Sequence, residues 1–361
     1  MPSRMRRWLC LAAVALIAIH VNAHASMPKH NRRRDACTED YQQSNVALNL
    51  IQVSSSDVVL PRILCFVNTI SPNHATKAQA IKDTWGKRCD KLVFLSNVTD
   101  NTLGAVAIAD VPSDHSHLWQ KHKASMQYIW NLYRHDFDWF YKADDDAYVI
   151  MENLRAYLRS PEIVMQQDVV PLQLGHRFRL TDNLTEYYVR DKHLLEEYQQ
   201  RWPHWWVFNS GGPGVVMNSL FMRLAVQSFP LWTCLSDEYS QTLPDDAAIA
   251  FCMAWHRVFP PSTRDLSGRE RWHANHPHGV YFTDPSEYPD DMWFNMYHQG
   301  IGGIQWKENC CAPDSIAFHY VGPDYMRHIE RQLYDCRKDE FKGAVDSVRG
   351  VYHFADDIVF S

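Results

Sequence analysis

Three consecutive carboxylates, Asp144, Asp145 and Asp146, follow the apolar run Trp139-Phe140-Tyr141 and precede Tyr148-Val149-Ile150. Like charges this close raise one another's pKa unless a cation sits among them. Hard divalent cations such as Mg²⁺ or Mn²⁺ take oxygen ligands, often one or two carboxylates plus the oxygens of a phosphate. In extended backbone, residues i and i+2 point the same way. Asp144 and Asp146 can therefore face one ion while Asp145 turns aside. A solvated acidic turn is the ordinary alternative. The position directly after an apolar strand favours the ligand site, because ligands in α/β folds gather at the carboxyl ends of strands.

Three later stretches could join such a site. Pro244-Asp245-Asp246 opens an apolar helix, Ala247 to Trp255. Proline and acids in a first turn are common helix-start chemistry, but a carboxylate there could also serve a cleft as a general base. Asn209-Ser210-Gly211-Gly212-Pro213-Gly214 precedes the strand Val215-Met217. It reads equally as a tight loop and as a place where the backbone approaches a ligand. His319 sits in Phe318-His319-Tyr320, and a lone histidine is more often structural than a metal ligand. The sequence has no glycine-rich phosphate loop of the P-loop or dinucleotide type. A bound nucleotide would then be held mostly by a metal on its diphosphate, which points to a nucleotide-sugar rather than ATP or NAD.

The elements that must position these residues alternate. Ile63–Val67, Lys91–Ser96 and Ala105–Ala109 read as strands, and so does the run from Trp139 into the acids. Between them, 75–85 and 118–133 carry apolar residues at helical spacing, and Gly86 is expected to end the first of these helices. Met151 to Leu158 reads as the next helix, and Asn218 to Val226 as another after the glycine loop. This alternation predicts an α/β sandwich with a mainly parallel central sheet flanked by helices.

Composition sets the class. The chain has 361 residues, 46% hydrophobic and 22% charged, with net charge −6, enough for one large globular domain or two small ones. That mild negative charge argues against a general nucleic-acid binder. Its 13 Trp, 17 Tyr and 16 Phe suit either a bulky core or the stacking of sugar faces on aromatic rings. Arg4, Arg6 and Arg7 precede an apolar run from Trp8 to about Ile19. This is a secretory signal, either cleaved after Ala23-His24-Ala25 or retained as a type II anchor. The rest of the chain should then meet an oxidising lumen. There its cysteines, which form no CxxC pair, default to disulfides rather than zinc. Asn97 and Asn183 head glycosylation sequons that suit the same compartment.

Taken together, RILCFVNT, IKDTWGKRCDKLVFLS, DWFYKADDDAYVIMENLR, NSGGPGVVM, PDDAAIAFCM and CCAPDSIAFHYV resemble glycosyltransferase family 31, the inverting β-1,3-glycosyltransferases. The resemblance runs from about Pro61 to Tyr334, with the motifs in family order. It implies a GT-A fold in one catalytic domain over 61–335, behind a signal or signal-anchor (1–25) and a stem (26–60), with a tail over 336–361. It implies that Asp144, Asp146 and His319 hold Mn²⁺ on UDP, and that Asn68, Lys121 and Tyr320 touch the nucleotide. Gly211 and Gly212 would shape the donor sugar pocket. Asp246 would be the base, with Asp245 and Trp293 on the acceptor side. Cys65, Cys89, Cys234, Cys252, Cys310 and Cys311 stand where the family has cysteines, which fits three disulfides. The implied reaction moves galactose from UDP-galactose to O3 of GalNAc on Ser/Thr of glycoproteins, in the Golgi, by a type II membrane protein that could form a homodimer. Two alternatives stay open: a sister β-1,3-transferase with another acceptor, and a catalytically silent, chaperone-like relative. The presence of Asp144, Asp146, Asp246 and His319 favours an enzyme.

Overall fold

The structure is a computed structural model and describes residues 47–51, 60–108, 114–180, 189, 191–202, 206–235, 244–289 and 292–337. The N-terminal signal and the Asn183 sequon lie outside these residues. Among the described residues no helix is long and apolar enough to cross a membrane.

The strands are β1 (Ile63–Asn68), β2 (Lys91–Ser96), β3 (Ala105–Ala107), β4 (Trp139–Asp144), β5 (Tyr148–Val149), β6 (Gln173–Leu174), β7 (Arg177–Leu180), β8 (Trp206–Asn209), β9 (Val215–Asn218), β10 (Trp272–His273) and β11 (Ala317–Phe318). Six of them form the central sheet in the order β3-β2-β1-β4-β9-β6. The pairs among β3, β2, β1 and β4 are parallel, while β9 runs antiparallel to both β4 and β6. The mainly parallel sheet expected from the alternation of elements is present.

Strands β1 and β4 are near-continuous apolar runs because both faces of the sheet are covered. The period of two sorts their side chains. Ile63, Cys65, Val67, Trp139, Tyr141 and Ala143 face one core, which also takes Ile81, Leu154, Tyr157, Met326 and Ile329 from helices. Leu64, Phe66 and Phe140 face the other, against Met126, Ile129, Phe221, Met222 and the helix Asp245–Ala254. That last helix is buried along most of its length, which is why its sequence is apolar all round. The helix Leu118–Tyr133 has the bounds expected from its spacing.

The structure corrects three boundaries. The stem expected over 26–60 contains a piece of the folded body. Ala47, Leu48 and Leu50 are buried, Ile51 N–H donates to Asn153 Oδ1 at 2.7 Å, and Asn153 Nδ2 donates to Asn49 O at 2.8 Å. The tail expected from 336 likewise begins inside the body. Cys336 is disulfide-bonded, and the Arg337 guanidinium donates to Leu48 O. Third, 75–85 is not one regular helix. A wide π turn over His74–Ala78 leads into α-helix at Gln79–Asp83 and a 3₁₀ turn at Trp85–Arg88. Gly86 does not end it. Gly86 lets the turn pack, since a Cβ there would lie 2.7 Å from Ile81 O and 2.8 Å from Leu92 Cδ2.

The six cysteines singled out pair as Cys65–Cys89, Cys234–Cys252 and the adjacent Cys310–Cys311. Asn97 is exposed just after β2, and its Oδ1 accepts from Ser71 N–H at 2.9 Å.

Candidate active site

The acidic residues lie where β4 leaves the sheet and the chain turns into β5, with Ala147 N–H donating to Asp144 O at 3.2 Å. Strand β5 pairs antiparallel with β11, and this brings the end of the chain back to the acids. Val321 N–H donates to Asp146 O at 2.8 Å, and His319 Nε2 stands 3.3 Å from Asp146 Oδ1. Two residues separated by 173 positions are thereby in contact.

The three acids differ in their surroundings, although Lys77 Nζ lies 3.4 Å from Asp145 Oδ1 as well as 3.0 Å from Asp146 Oδ2. Asp145 turns inward: its Oδ2 accepts from Thr69 Oγ1 at 2.7 Å and Asn73 Nδ2 at 2.8 Å. Asp146 meets Lys77 Nζ at 3.0 Å on its second oxygen. Burial works to raise its pKa, but His319 and Lys77 outweigh that and hold the carboxyl at about 2. Asp144 is half-exposed, and Lys142 Nζ lies 3.7 Å away.

The side chain beyond Asp146 depends on the glycine loop. A Cβ on Gly212 would lie 2.2 Å from both Cε1 and Nδ1 of His319, so only glycine leaves room for this imidazole. The preceding residue faces the other way, and Gly211 N–H donates to Asp246 Oδ2 at 2.9 Å. One dipeptide therefore packs on both His319 and Asp246.

Asp245 and Asp246 begin the helix Asp245–Ala254, where backbone N–H groups favour anions. Asp245 is engaged by Lys142 Nζ at 3.2 Å and His122 Nδ1 at 2.6 Å. Its burial would raise its pKa, but these two partners win and keep it well below the usual carboxylate range. Asp246 lacks such a cation, and its Oδ1 accepts from Ala247 N–H at 2.8 Å. Burial, followed by the charge of Asp245, pushes Asp246 up to about 7, against the Gly211 N–H and Lys142. Adjacent carboxyls whose surroundings push their pKa values apart suit an acid–base pair in which one member stays ionised.

Asn68, at the end of β1, is the register partner of Asp144, and its Oδ1 accepts from Ser125 Oγ at 3.0 Å. Lys121 is buried on the helix Leu118–Tyr133 and donates to Thr69 O at 2.7 Å; burial lowers its pKa. Tyr320 is 54% exposed, has φ 55°, and stacks on His319 with ring centroids 3.8 Å apart. Trp293 stands in a separate aromatic group on the helix Trp293–His298, 6.3 Å from Phe178 and 5.8 Å from Tyr297 between ring centroids. That group reaches the site's elements through Phe208, 5.9 Å from Tyr297, on the strand that leads to the glycine loop.

Sequence reasoning missed Lys77, His122 and Lys142. Lys142 carried a signal, because a lysine inside a strand buried on both faces needs a carboxylate partner. The wide turn that aims Lys77 had none.

The donor set of Asp144, Asp146 and His319 suits a divalent cation in its chemistry, and the Gly212 cradle leaves the imidazole facing Asp146. Asp144 does not close the group as it stands. Among the described residues, the three possible ligands that come within 4.8 Å of one another are His176, Glu270 and His298.

A family model described as Fringe-like matches residues 58–266, more than half of the chain, and spans the acids, the glycine loop and Asp246. The chain belongs to the Fringe-like family. The family 31 membership implied by its motifs is thus borne out, and this Fringe-like protein is a glycosyltransferase. It is 28% identical over 276 residues to glycoprotein-N-acetylgalactosamine 3-β-galactosyltransferase 1 of Xenopus laevis, across 76% of this chain and 67% of that one. Its mainly parallel sheet, with an acidic turn after the central strand, is the GT-A arrangement expected. Among solved structures, the galactosyltransferase LgtC with donor and acceptor sugar analogues is 13% identical, with TM-score 0.35, over 79% of this chain and 97% of that one. Mouse xyloside xylosyltransferase 1 is 11% identical, with TM-score 0.37, over 71% and 97%.

Proposed function

We propose that this Fringe-like protein is an inverting β-1,3-galactosyltransferase that carries galactose from UDP-galactose to O3 of GalNAc on Ser/Thr of glycoproteins. Asp144, Asp146 and His319 would hold Mn²⁺. When bound there, the cation would neutralise charge building on the leaving diphosphate. Asp246 accepts the proton of the acceptor O3. The O3–C1 bond forms on the face opposite UDP as the bond from C1 to the phosphate oxygen breaks, so the β linkage arises in one displacement. Lys121, on the helix Leu118–Tyr133, and Asn68, at the end of β1, would bind the nucleotide. Asp245 stays ionised against Lys142 and His122, and its charge keeps Asp246 ready to take a proton. The N-terminal signal supports a type II protein of the Golgi membrane with its catalytic body in the lumen.

The observation that carries this reading is Asp246. It is a partly buried carboxyl raised to about 7 at a helix start, held by the same dipeptide that packs against the His319 ring. The acceptor assignment leans on the activity for which the Xenopus relative is named. The test is transfer by the purified full chain from UDP-galactose with Mn²⁺ to a GalNAc-threonine peptide, repeated with EDTA. Metal-dependent linkage at O3 supports the proposal. No transfer, with metal-dependent UDP binding intact, moves the acceptor elsewhere, and loss of both refutes an active transferase.

A further inference from the structure

A second group of ligand-type side chains lies away from the acidic turn. His176 precedes β7, Glu270 precedes β10, and His298 ends the helix that carries Trp293. The two histidines are buried, and one ligand atom from each of the three residues lies within 4.8 Å of the others. The tautomers follow from their partners. His176 Nδ1 is 2.6 Å from Trp272 O, and His298 Nδ1 is 2.7 Å from Phe294 O. A carbonyl only accepts, so both Nδ1 atoms carry hydrogen, and both neutral rings present a bare Nε2.

These two Nε2 atoms stand 2.9 Å apart. Two lone pairs cannot face each other at that distance without a positive centre between them. The centre is either a proton, making one ring an imidazolium, or a metal ion. Phe178 and Phe294 pack on His298 at 5.1 and 4.7 Å between ring centroids and hold its ring in place. The carboxylate of Glu270 beside the pair supplies a third ligand-type group that a shared proton does not need. The contacts around the rings are those of ligating histidines, whose second nitrogen typically donates to a backbone carbonyl. Arg264 Nε donates to Glu270 Oε1 at 2.6 Å and fixes the carboxylate beside the pair, with Oε2 3.7 Å from His176 Nδ1, so Oε2 must swing toward the Nε2 atoms to ligate. A cavity of about 30 Å³, lined by His176, Glu270 and His298, has room for one water as a fourth ligand. Tetrahedral Zn–N bonds of about 2.0–2.1 Å place two nitrogens roughly 3.3 Å apart, so the rings need separate by only a few tenths of an ångström.

We propose that His176, Glu270 and His298 form a second metal site, distinct from the acidic turn, that binds a borderline divalent transition ion with Zn²⁺ as the best match. Two imidazoles and one carboxylate suit Zn²⁺ better than Mg²⁺ or Ca²⁺, which prefer all-oxygen shells. The ion clamps the Trp293–His298 helix to the start of β7, and so fixes the aromatic group beside the glycine-loop strand. Sequence reading could not have found it, because the three ligands are 94 and 28 residues apart and share no spacing motif.

The test uses the full chain, stripped with a chelator, with Zn²⁺ then added and counted per chain by elemental mass spectrometry. An Asp144→Asn/Asp146→Asn background removes the acidic turn as a competing site. The expected result is one Zn²⁺ retained in that background, with affinity falling by more than about 100-fold when His298→Gln is added. No Zn²⁺ uptake, or uptake unchanged by His298→Gln, overturns the proposal. If His298→Gln does not fold, the Co²⁺-loaded background protein decides. Intense four-coordinate ligand-field bands without thiolate charge transfer support the site. Weak six-coordinate bands, or thiolate bands, refute it.

Discussion

Replacing Gly212 by alanine tests the contact on which the candidate site turns. The added Cβ would start 2.2 Å from two atoms of the His319 ring and 2.6 Å from a third. Ordinary carbon contact needs about 3.4 Å or more, so the ring or the loop must move by roughly 1.2 Å. The ring is the softer of the two, because the loop is tied to Asp246 through Gly211 N–H. Overpacking of this kind costs about 1–3 kcal/mol of stability, and a misplacement of about 1 Å at a reacting centre costs on the order of 100-fold in rate. Gly212→Ala should therefore keep its fold with a lowered melting point. It should lose about 100-fold in transfer, and metal-dependent UDP affinity should fall with it, since His319 is the group displaced. Gly322→Ala is the control. It lies three residues beyond His319 with nothing within 4 Å of the added Cβ, and it should leave transfer unchanged. Calorimetric UDP titration with and without Mn²⁺, beside a rate assay, reads both quantities. Wild-type rate and affinity in Gly212→Ala would refute the placement of His319 in the site.

Five further outcomes follow from the same geometry. Asp246→Asn should lower transfer by about 10²–10⁴-fold, the usual worth of a general base, while UDP titration with Mn²⁺ stays near wild type. The base must be ionised to act and its pKa is raised to about 7, so kcat/KM should fall as pH drops through about 7 and level off above it. A profile flat from pH 6 to pH 8 would exclude Asp246. Lys142→Met leaves Asp245 buried without its cation, and loss of one member of a buried pair costs about 3–5 kcal/mol, read by urea denaturation. Asp146→Ala should abolish the Mn²⁺ dependence of UDP binding, and a titration unchanged by EDTA would count against its role. Cys65→Ser/Cys89→Ser opens a loop closed across 24 residues and should lower stability by about 3 kcal/mol, measured in the same denaturation assay.

The features that sequence alone made legible were local. The strand before the acids and the helix Leu118–Tyr133 follow from periods of two and 3.6, which the chain carries in itself. The acids themselves do not simply alternate: Asp145 and Asp146 lie in a turn and share Lys77, although Asp145 also turns to Thr69 and Asn73 while Asp146 faces His319. The features that stayed hidden were set by distant partners. Nothing near Asp245 predicts that Lys142 and His122 will claim its carboxylate, since one arrives on β4 and the other on the helix Leu118–Tyr133. Yet that pairing decides the chemistry of the neighbouring residue. Two adjacent aspartates at a helix start are equivalent in sequence and opposite in the fold. The one given a cation stays ionised and structural, and the one denied it is pushed up by burial and by its neighbour's charge. A motif can name both carboxylates as candidates. Which of them takes a proton near neutral pH is decided by where a lysine two residues before Asp144 points, and only the packed sheet determines that.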